Sequence, residues 1–152
     1  MPVPPDPPGF ADWEVNVPAS FKQDPIWRTP AYRFALMLSD LAAADAEALE
    51  RDPRNRTMAD QLLRAVQAIS ANLSEGYGHT TGPERARYYE YALTSAREGR
   101  DWYFKARLRL GAKVVEERYE VLLRIIKILT SVIPRERADR IGRARRQPPR
   151  SR

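Results

Sequence analysis

The sequence contains no cysteine and a single histidine, His79. Without cysteine there are no disulfides and no thiolate metal sites, and one histidine is too few for a histidine-based metal centre. No glycine-rich phosphate loop, activated nucleophile or orienting group accompanies the acidic residues. We therefore expect a non-enzymatic protein that has no catalytic residues and holds neither a cofactor nor a metal.

Long apolar runs are also missing. No stretch approaches the roughly 20 residues that span a bilayer, and the first residues lack the basic start and apolar stretch of a secretory signal. A cytoplasmic protein without membrane contact is expected. The length of 152 residues fits one domain, and 43% hydrophobic residues are enough for a core.

Positive charge is concentrated at the C-terminal end. Residues 134–152 hold eight arginines against two acidic residues, which accounts for the whole net charge of +6. Basic tails of this kind commonly bind nucleic acid or another anionic surface, and Arg140, Arg143, Arg145 and Arg146 are the residues expected to matter most. The alternative is a solvated, disordered end that aids solubility.

Proline is concentrated at the other end, where residues 1–26 hold seven prolines. Because proline lacks the backbone donor of helices and sheets, we predict an extended or disordered arm. Its large apolar residues, Phe10, Trp13 and Phe21, would dock on the body or on a neighbouring subunit.

Between the arm and the tail, residues 27–133 show four helical segments. Apolar residues recur at steps of three and four, and the segments run from about Pro30 to Arg51, Thr57 to Glu75, residue 82 to Gly111, and Ala112 to Ile133. Pro134 is predicted to stop the last helix, and the glycines at 76 and 78 to end the second with a positive φ. Short connections predict an antiparallel up-down four-helix bundle.

The fourth helix has too many apolar residues for an ordinary surface helix, since about a dozen fall within residues 114–133. They cover more than the ~100° stripe that faces a single core. Its own bundle would bury one side, and a second subunit is the expected cover for the other.

The third helix combines three patterns. Ala92, Ser95, Ala96 and Gly99 form a stripe of small residues that predicts a close helix crossing. Aromatic and basic residues also interleave along it, and the basic ones proposed to bind nucleic acid are Arg97, Arg100, Lys105, Arg107 and Arg109. The alternative is that the aromatics fill the core and the cations are merely solvated. Glu98, with Asn72 and Glu75 of the second helix, is interpreted as a polar cluster that fixes helix register.

Residues 61–78 read QLLRAVQAISANLSEGYG, and Tyr88, Ala92, Ser95 and Glu98 follow at steps of four, three and three. These motifs resemble the bacterial four-helix-bundle family named for reading frames in intervening sequences of large-subunit ribosomal RNA genes. That family includes the accessory variability proteins of diversity-generating retroelements. The resemblance implies a homo-oligomer, pentameric among the accessory proteins, which bind nucleic acid and associate with a reverse transcriptase.

The sequence thus predicts an oligomeric accessory protein that binds RNA or DNA, with RNA favoured and a reverse transcriptase as the implied protein partner. The alternative, from a different class, is a homo-oligomeric scaffold that grips a protein partner and binds no nucleic acid.

Overall fold

The computed structural model describes residues 2–139, and these residues form helices and no strand. The helices are α1 (Phe10–Glu14), α2 (Pro30–Glu50), α3 (Arg56–Gly78), α4 (Gly82–Leu110) and α5 (Ala112–Ala138), with 3₁₀ turns at Phe21–Gln23, Pro25–Arg28 and Pro53–Asn55. The prediction of an all-helical fold is confirmed for this part of the chain. None of these helices is both long enough and apolar enough to cross a membrane.

The four long helices pack mainly against their neighbours in the sequence. α3 lies against α4 and α4 against α5, while α2 contacts both α3 and α5. Each helix turns an apolar stripe inward; on α3 this stripe is Leu62, Val66, Ile69 and Leu73, all nearly inaccessible to solvent. Steps of three and four residues produce such a stripe because 3.6 residues make one turn.

The boundary between α3 and α4 differs from the prediction. Gly76 and Gly78 do not end the helix with a positive φ; both lie inside α3 with ordinary helical backbone. The reason for glycine at 76 is close packing, because a Cβ there would lie 2.9 Å from the Cβ of Tyr88 and 2.9 Å from Cε1 of Tyr89. A missing side chain, rather than a special backbone conformation, lets α3 and α4 approach here.

The boundary between α4 and α5 is where the sequence placed it. Gly111 has a φ of 90°, a conformation that residues with a Cβ rarely adopt, and it alone separates the two helices. The close crossing predicted from the stripe of small residues is also confirmed. Ala92, Ala96 and Gly99 are buried, and a Cβ on Gly99 would come within 3.3 Å of Val66 on α3.

α5 does not stop at Pro134, so that prediction is wrong. The helix continues to Ala138, which moves the start of any separate tail beyond the predicted boundary at residue 134. Proline removes one backbone hydrogen bond, but the next turn is held from outside. Glu136 and Asp139 both pair with Arg85 of α4, which is 2% exposed.

The prediction of an extended or disordered N-terminal arm is wrong for residues 10–26, which contain helical turns, whereas residues 2–7 have no regular secondary structure. Residues 10–14 lack proline and form α1, and Pro25 occupies the first turn of a 3₁₀ helix. Phe10 is buried and meets Phe34 of α2 edge-on at 5.2 Å between ring centres. Trp13 donates a 2.8 Å hydrogen bond to Asp40. The sequence left open whether these aromatic residues dock on the body of their own chain or on a neighbouring subunit. Phe10 and Trp13 contact the body of their own chain.

The arm also covers part of α5. Arg124 donates a hydrogen bond of 2.9 Å to the Pro5 carbonyl, and residues 2–5 line a groove of about 330 Å³ together with Ile128 and Val132. Part of the side of α5 that was expected to meet a second subunit therefore faces the arm of its own chain. Leu123 remains 51% exposed.

A buried ion pair ties three helices together. Both carboxylate oxygens of Asp45 on α2 accept from Arg118 on α5, at 2.8 and 3.0 Å, and the Tyr103 hydroxyl of α4 donates to the same carboxylate at 2.8 Å. Burial raises the pKa of Tyr103, with the charge of Asp45 as a further cause. This Asp45 cluster, which the sequence did not single out, links the helices through polar contacts.

Candidate nucleic-acid interface

The four tail arginines expected to matter most, Arg140, Arg143, Arg145 and Arg146, lie outside the described residues. The structure does describe the end of α5, which these residues follow in the sequence. Arg85 donates to Glu136 at 2.7 Å and to Asp139 at 3.4 Å, and also to the carbonyls of His79 and Thr80 at 3.3 and 2.9 Å. The end of α5 is thereby fixed to the start of α4.

A glycine reinforces this anchor. A Cβ on Gly82 would overlap the carbonyl oxygens of Glu136 and Asp139, so the first turn of α4 lies directly against the last turn of α5. Arg137 and Glu90 form a second, more exposed ion pair across the same two helices. The basic segment 140–152 therefore follows a helix end that is held in place by at least three charged contacts.

The five cations proposed on α4, Arg97, Arg100, Lys105, Arg107 and Arg109, are all exposed. They do not form one patch. Arg100 lies 5.7 Å from the ring centre of Tyr119 on α5. Arg109 lies on the other side, near Asp52, whose pKa is lowered mainly by hydrogen bonds from Arg54 and to a smaller extent by the charge of Arg109. A 3.6-residue period distributes nearby positions around the helix, so interleaving in the sequence does not produce a single basic face.

Two of the cations are engaged by neighbours on α4 itself. Lys105 pairs with Asp101 at 2.6 Å and lies 4.4 Å from the ring centre of Trp102. Arg107 lies 3.9 Å from the ring centre of Phe104. Such cation–aromatic contacts hold both cations at the surface, but a phosphate that binds Lys105 has to compete with Asp101.

The structure does bring together one mixed surface, which we call the α4–α5 seam and define as Arg100, Phe104, Arg107, Leu108 and Tyr119. Phe104 is 52% exposed and Leu108 is 81% exposed, and most of these residues line a groove of about 500 Å³. Burial raises the pKa of Tyr119, and the two arginines act in the opposite direction. Exposed aromatic rings beside arginines can stack bases and bind phosphates, and the same apolar surface suits a protein partner.

The polar cluster predicted from Asn72, Glu75 and Glu98 is not assembled. Asn72 donates to the Ala68 carbonyl of its own helix at 2.9 Å. Glu75 accepts from the hydroxyl of Tyr88, which raises the pKa of that tyrosine. Glu98 is exposed, and no hydrogen bond joins any two of the three within residues 2–139. Asn72 and Glu75 lie within one turn of each other on α3, but Glu98 is exposed on α4 and bonds to neither. The spacing of the motif alone did not reveal this.

The structure also groups residues that the sequence did not bring together. His79, Tyr88 and Tyr91 form a continuous set of ring contacts at the junction of α3 and α4, with Arg87 beside them. The one available signal was the spacing of Arg87, Tyr88 and Tyr91, because steps of three and four residues place side chains side by side on a helix. His79 lies between helices, so no periodicity could have placed its ring. Residues 2–139 contain no group of three or more histidine and acidic side chains arranged to hold a metal.

Comparison with known proteins places this architecture among relatives. A protein of unknown function from the S23 ribosomal protein family of Bacteroides thetaiotaomicron has a similar fold, with a TM-score of 0.65 and 20% sequence identity over 68% of this chain and 97% of the other. That degree of identity supports the fold alone. Curated protein sequences give no match. The family model described as 23S rRNA-intervening sequence protein matches residues 31–135, more than half of the chain. The chain therefore belongs to the 23S rRNA-intervening sequence protein family.

Proposed function

We propose that this protein is a non-enzymatic, homo-oligomeric accessory protein that binds nucleic acid, with RNA as the favoured ligand. The observation that carries the proposal is the charge distribution: the net +6 lies wholly in residues 134–152, and the body is formally neutral. A flexible or a folded basic segment binds phosphates by the same electrostatic attraction. The arginines at 140, 143, 145 and 146 are the principal contacts, and the exposed cations of α4 are secondary ones.

The architecture that we infer is an antiparallel four-helix bundle of α2–α5. Contacts between opposite ends of neighbouring helices support it: Arg85 near the start of α4 meets Glu136 near the end of α5, and Asp45 near the end of α2 meets Arg118 near the start of α5. The resemblance to the accessory variability proteins suggests a pentamer. Five subunits would then contribute about thirty positive charges, enough for a strongly salt-dependent affinity.

The protein partner implied by the same resemblance is a reverse transcriptase of a diversity-generating retroelement. In that role the basic segments would hold the RNA while the helical body contacts the enzyme. The test is co-purification of the full chain with such an enzyme encoded nearby in the genome. Recovery of the enzyme only when RNA is present would place the RNA, rather than the helices, between the two proteins.

The experiment that tests nucleic-acid binding is fluorescence anisotropy with RNA and DNA oligonucleotides at several salt concentrations. The shortened chain used for comparison should end at Asp139, since ending it at Ile133 would remove both acidic partners of the buried Arg85. We expect tight, salt-sensitive binding by the full chain and little by the shortened one.

A matched pair of full-length variants separates charge from chain length. Changing the four arginines at 140, 143, 145 and 146 to glutamine should reduce the slope of log affinity against log salt by about 3, since each phosphate contact contributes about 0.7 for a single strand. Changing the same four to lysine should leave the slope nearly unchanged. Absence of binding by the full chain at low salt would refute the proposal.

One observation favours the alternative, a homo-oligomeric protein-interaction scaffold without nucleic-acid binding. Phe104, Leu108 and Leu123 are each more than half exposed, and exposed apolar groups of this kind mark protein-binding surfaces. Sedimentation of Leu108→Glu beside the unaltered chain tests it. A scaffold would lose self-association or partner binding with this change and keep both when residues 140–152 are removed.

A further inference from the structure

Aromatic rings form an ordered series at the junction of α3 and α4. The imidazole of His79 and the ring of Tyr88 are stacked, with ring centres 4.7 Å apart and planes inclined by 15°. Tyr91 meets Tyr88 edge-on at 5.7 Å. Arg87 donates a 2.9 Å hydrogen bond to the Tyr91 hydroxyl, and its guanidinium lies 5.8 Å from that ring centre. We call these four residues the stacking cluster.

The stacking cluster is not part of the hydrophobic core. Tyr89, between the two tyrosines, is buried, whereas Tyr91 is 44% exposed, and Tyr88 and His79 are only half-buried. Their contacts with one another fix the rings before any ligand arrives, so a stacking ligand need not immobilise loose side chains. Rigid, partly exposed aromatic faces beside a guanidinium are the usual means of holding an unpaired base.

The cluster lies beside the origin of the basic segment. Arg85 bonds to the carbonyls of His79 and Thr80 and, through the same guanidinium, to Glu136 and Asp139 at the end of α5. One buried side chain therefore joins the loop that carries the first ring to the helix that precedes residue 140. A strand bound at these rings would therefore lie close to the end of α5, which the basic residues follow in the sequence.

Carboxylates near the rings decide which part of a nucleotide can approach. Glu75 accepts from the Tyr88 hydroxyl, and Glu84 accepts from the Thr81 hydroxyl at 2.7 Å while lying 3.9 Å from Nδ1 of His79. These negative charges repel phosphate at the rings themselves. The favoured arrangement puts a base against the rings and leaves the phosphates to Arg87 and the basic segment.

We propose that the stacking cluster binds an unpaired base of single-stranded nucleic acid and gives the protein a preference for single strands over duplexes. A duplex keeps its base faces stacked internally, so it can offer its phosphates to the basic segment but no base to these rings. This inference rests on the proposed nucleic-acid binding and adds to it the form of the ligand.

The test compares the binding of a single-stranded RNA and its duplex to full-length variants. Tyr91→Ala should weaken single-strand binding by about 5–100-fold and change duplex binding by less than about twofold. Tyr91→Phe, which keeps the ring, should bind the single strand almost normally. The matched control is Phe21→Ala, which removes another ring that is 47% exposed but lies on the arm. Thermal unfolding of each variant confirms that its fold is retained.

A second readout is photochemical cross-linking of a single strand that carries 5-iodouracil, a base analogue that cross-links to adjacent aromatic rings. The expected product maps to Tyr88 or Tyr91. Equal affinity for single strand and duplex, with Tyr91→Ala binding normally and no cross-link at either tyrosine, would overturn the stacking cluster and leave the proposed function standing. A full chain that binds no nucleic acid at low salt would overturn both.

Discussion

The Asp45 cluster offers the sharpest test of how the helices are held together. We predict that Asp45→Asn destabilises the fold by about 3 kcal/mol. Asparagine is close to aspartate in size, so the change creates no cavity. It removes the negative charge that faces Arg118, and both groups are almost inaccessible to solvent, at 6% and 9% exposure.

The magnitude follows from what remains after the substitution. Removing one partner of a buried ion pair typically costs about 3–5 kcal/mol, because the other charge stays desolvated and unpaired. Arg118 keeps one contact, with Glu117 at 3.4 Å, but that carboxylate is 51% exposed and screened by water. The lower end of the range is therefore expected. Against a typical total of about 5–15 kcal/mol, such a loss is large.

The assay is urea unfolding followed by far-ultraviolet circular dichroism. Asp101→Asn is the control, since its pair with Lys105 is exposed on both sides and should contribute less than about 1 kcal/mol. The triple variant Asp45→Leu, Arg118→Met and Tyr103→Phe should recover most of the loss, because replacing all three polar groups leaves neither an uncompensated charge nor an unpaired Tyr103 hydroxyl. A cost below about 1 kcal/mol for Asp45→Asn, with an unchanged urea dependence, would refute the reasoning.

Two further predictions concern helix ends and helix contacts. Ending the chain at Ile133 should lower the unfolding midpoint well below that of a chain ending at Asp139, because only the first leaves the buried Arg85 without a carboxylate partner; equal midpoints would contradict this. Gly76→Ala should destabilise by about 1–2 kcal/mol through overlap with the facing tyrosines, whereas Gly78→Ala, with nothing within 4 Å of its added Cβ, should be neutral or stabilising; urea unfolding of both distinguishes them.

Helix positions were largely predictable because they depend on local chemistry. Gly111 separates α4 from α5 through a positive φ, and Pro30 begins α2 in the first turn, where its missing donor costs nothing. The predicted end of α5 at Pro134 was wrong because the effect of this proline depends on a distant residue. The turn that follows it pairs with Arg85, and α5 remains helical there. The positive φ predicted for Gly76 was wrong for a similar reason, since the glycine is needed for close packing against α4 and the sequence of α3 alone does not show that contact.

The candidate site was less predictable than the fold. Composition located the basic segment, but the register between helices decides which cations of α4 share a surface, and spacing within one helix does not contain that information. The same limit explains the missed Asp45 cluster. An aspartate lies on the apolar face of α2 and an arginine on that of α5, and the sequence does not say that they meet.

Self-association and nucleic-acid binding would use the α4–α5 seam in different ways. If a second subunit covers Phe104 and Leu108, then Arg100 and Arg107 are buried in the same contact and are lost to nucleic acid. The basic segment would not be buried in this contact, because it follows the end of α5 and the seam lies near the start of α5. The distance between the two is large, since the neighbouring helix α4 has 29 residues and is about 40 Å long at 1.5 Å per residue. An oligomer that forms through the seam and also binds RNA should therefore depend on residues 140–152 and on the stacking cluster, and should tolerate loss of Arg100 and Arg107.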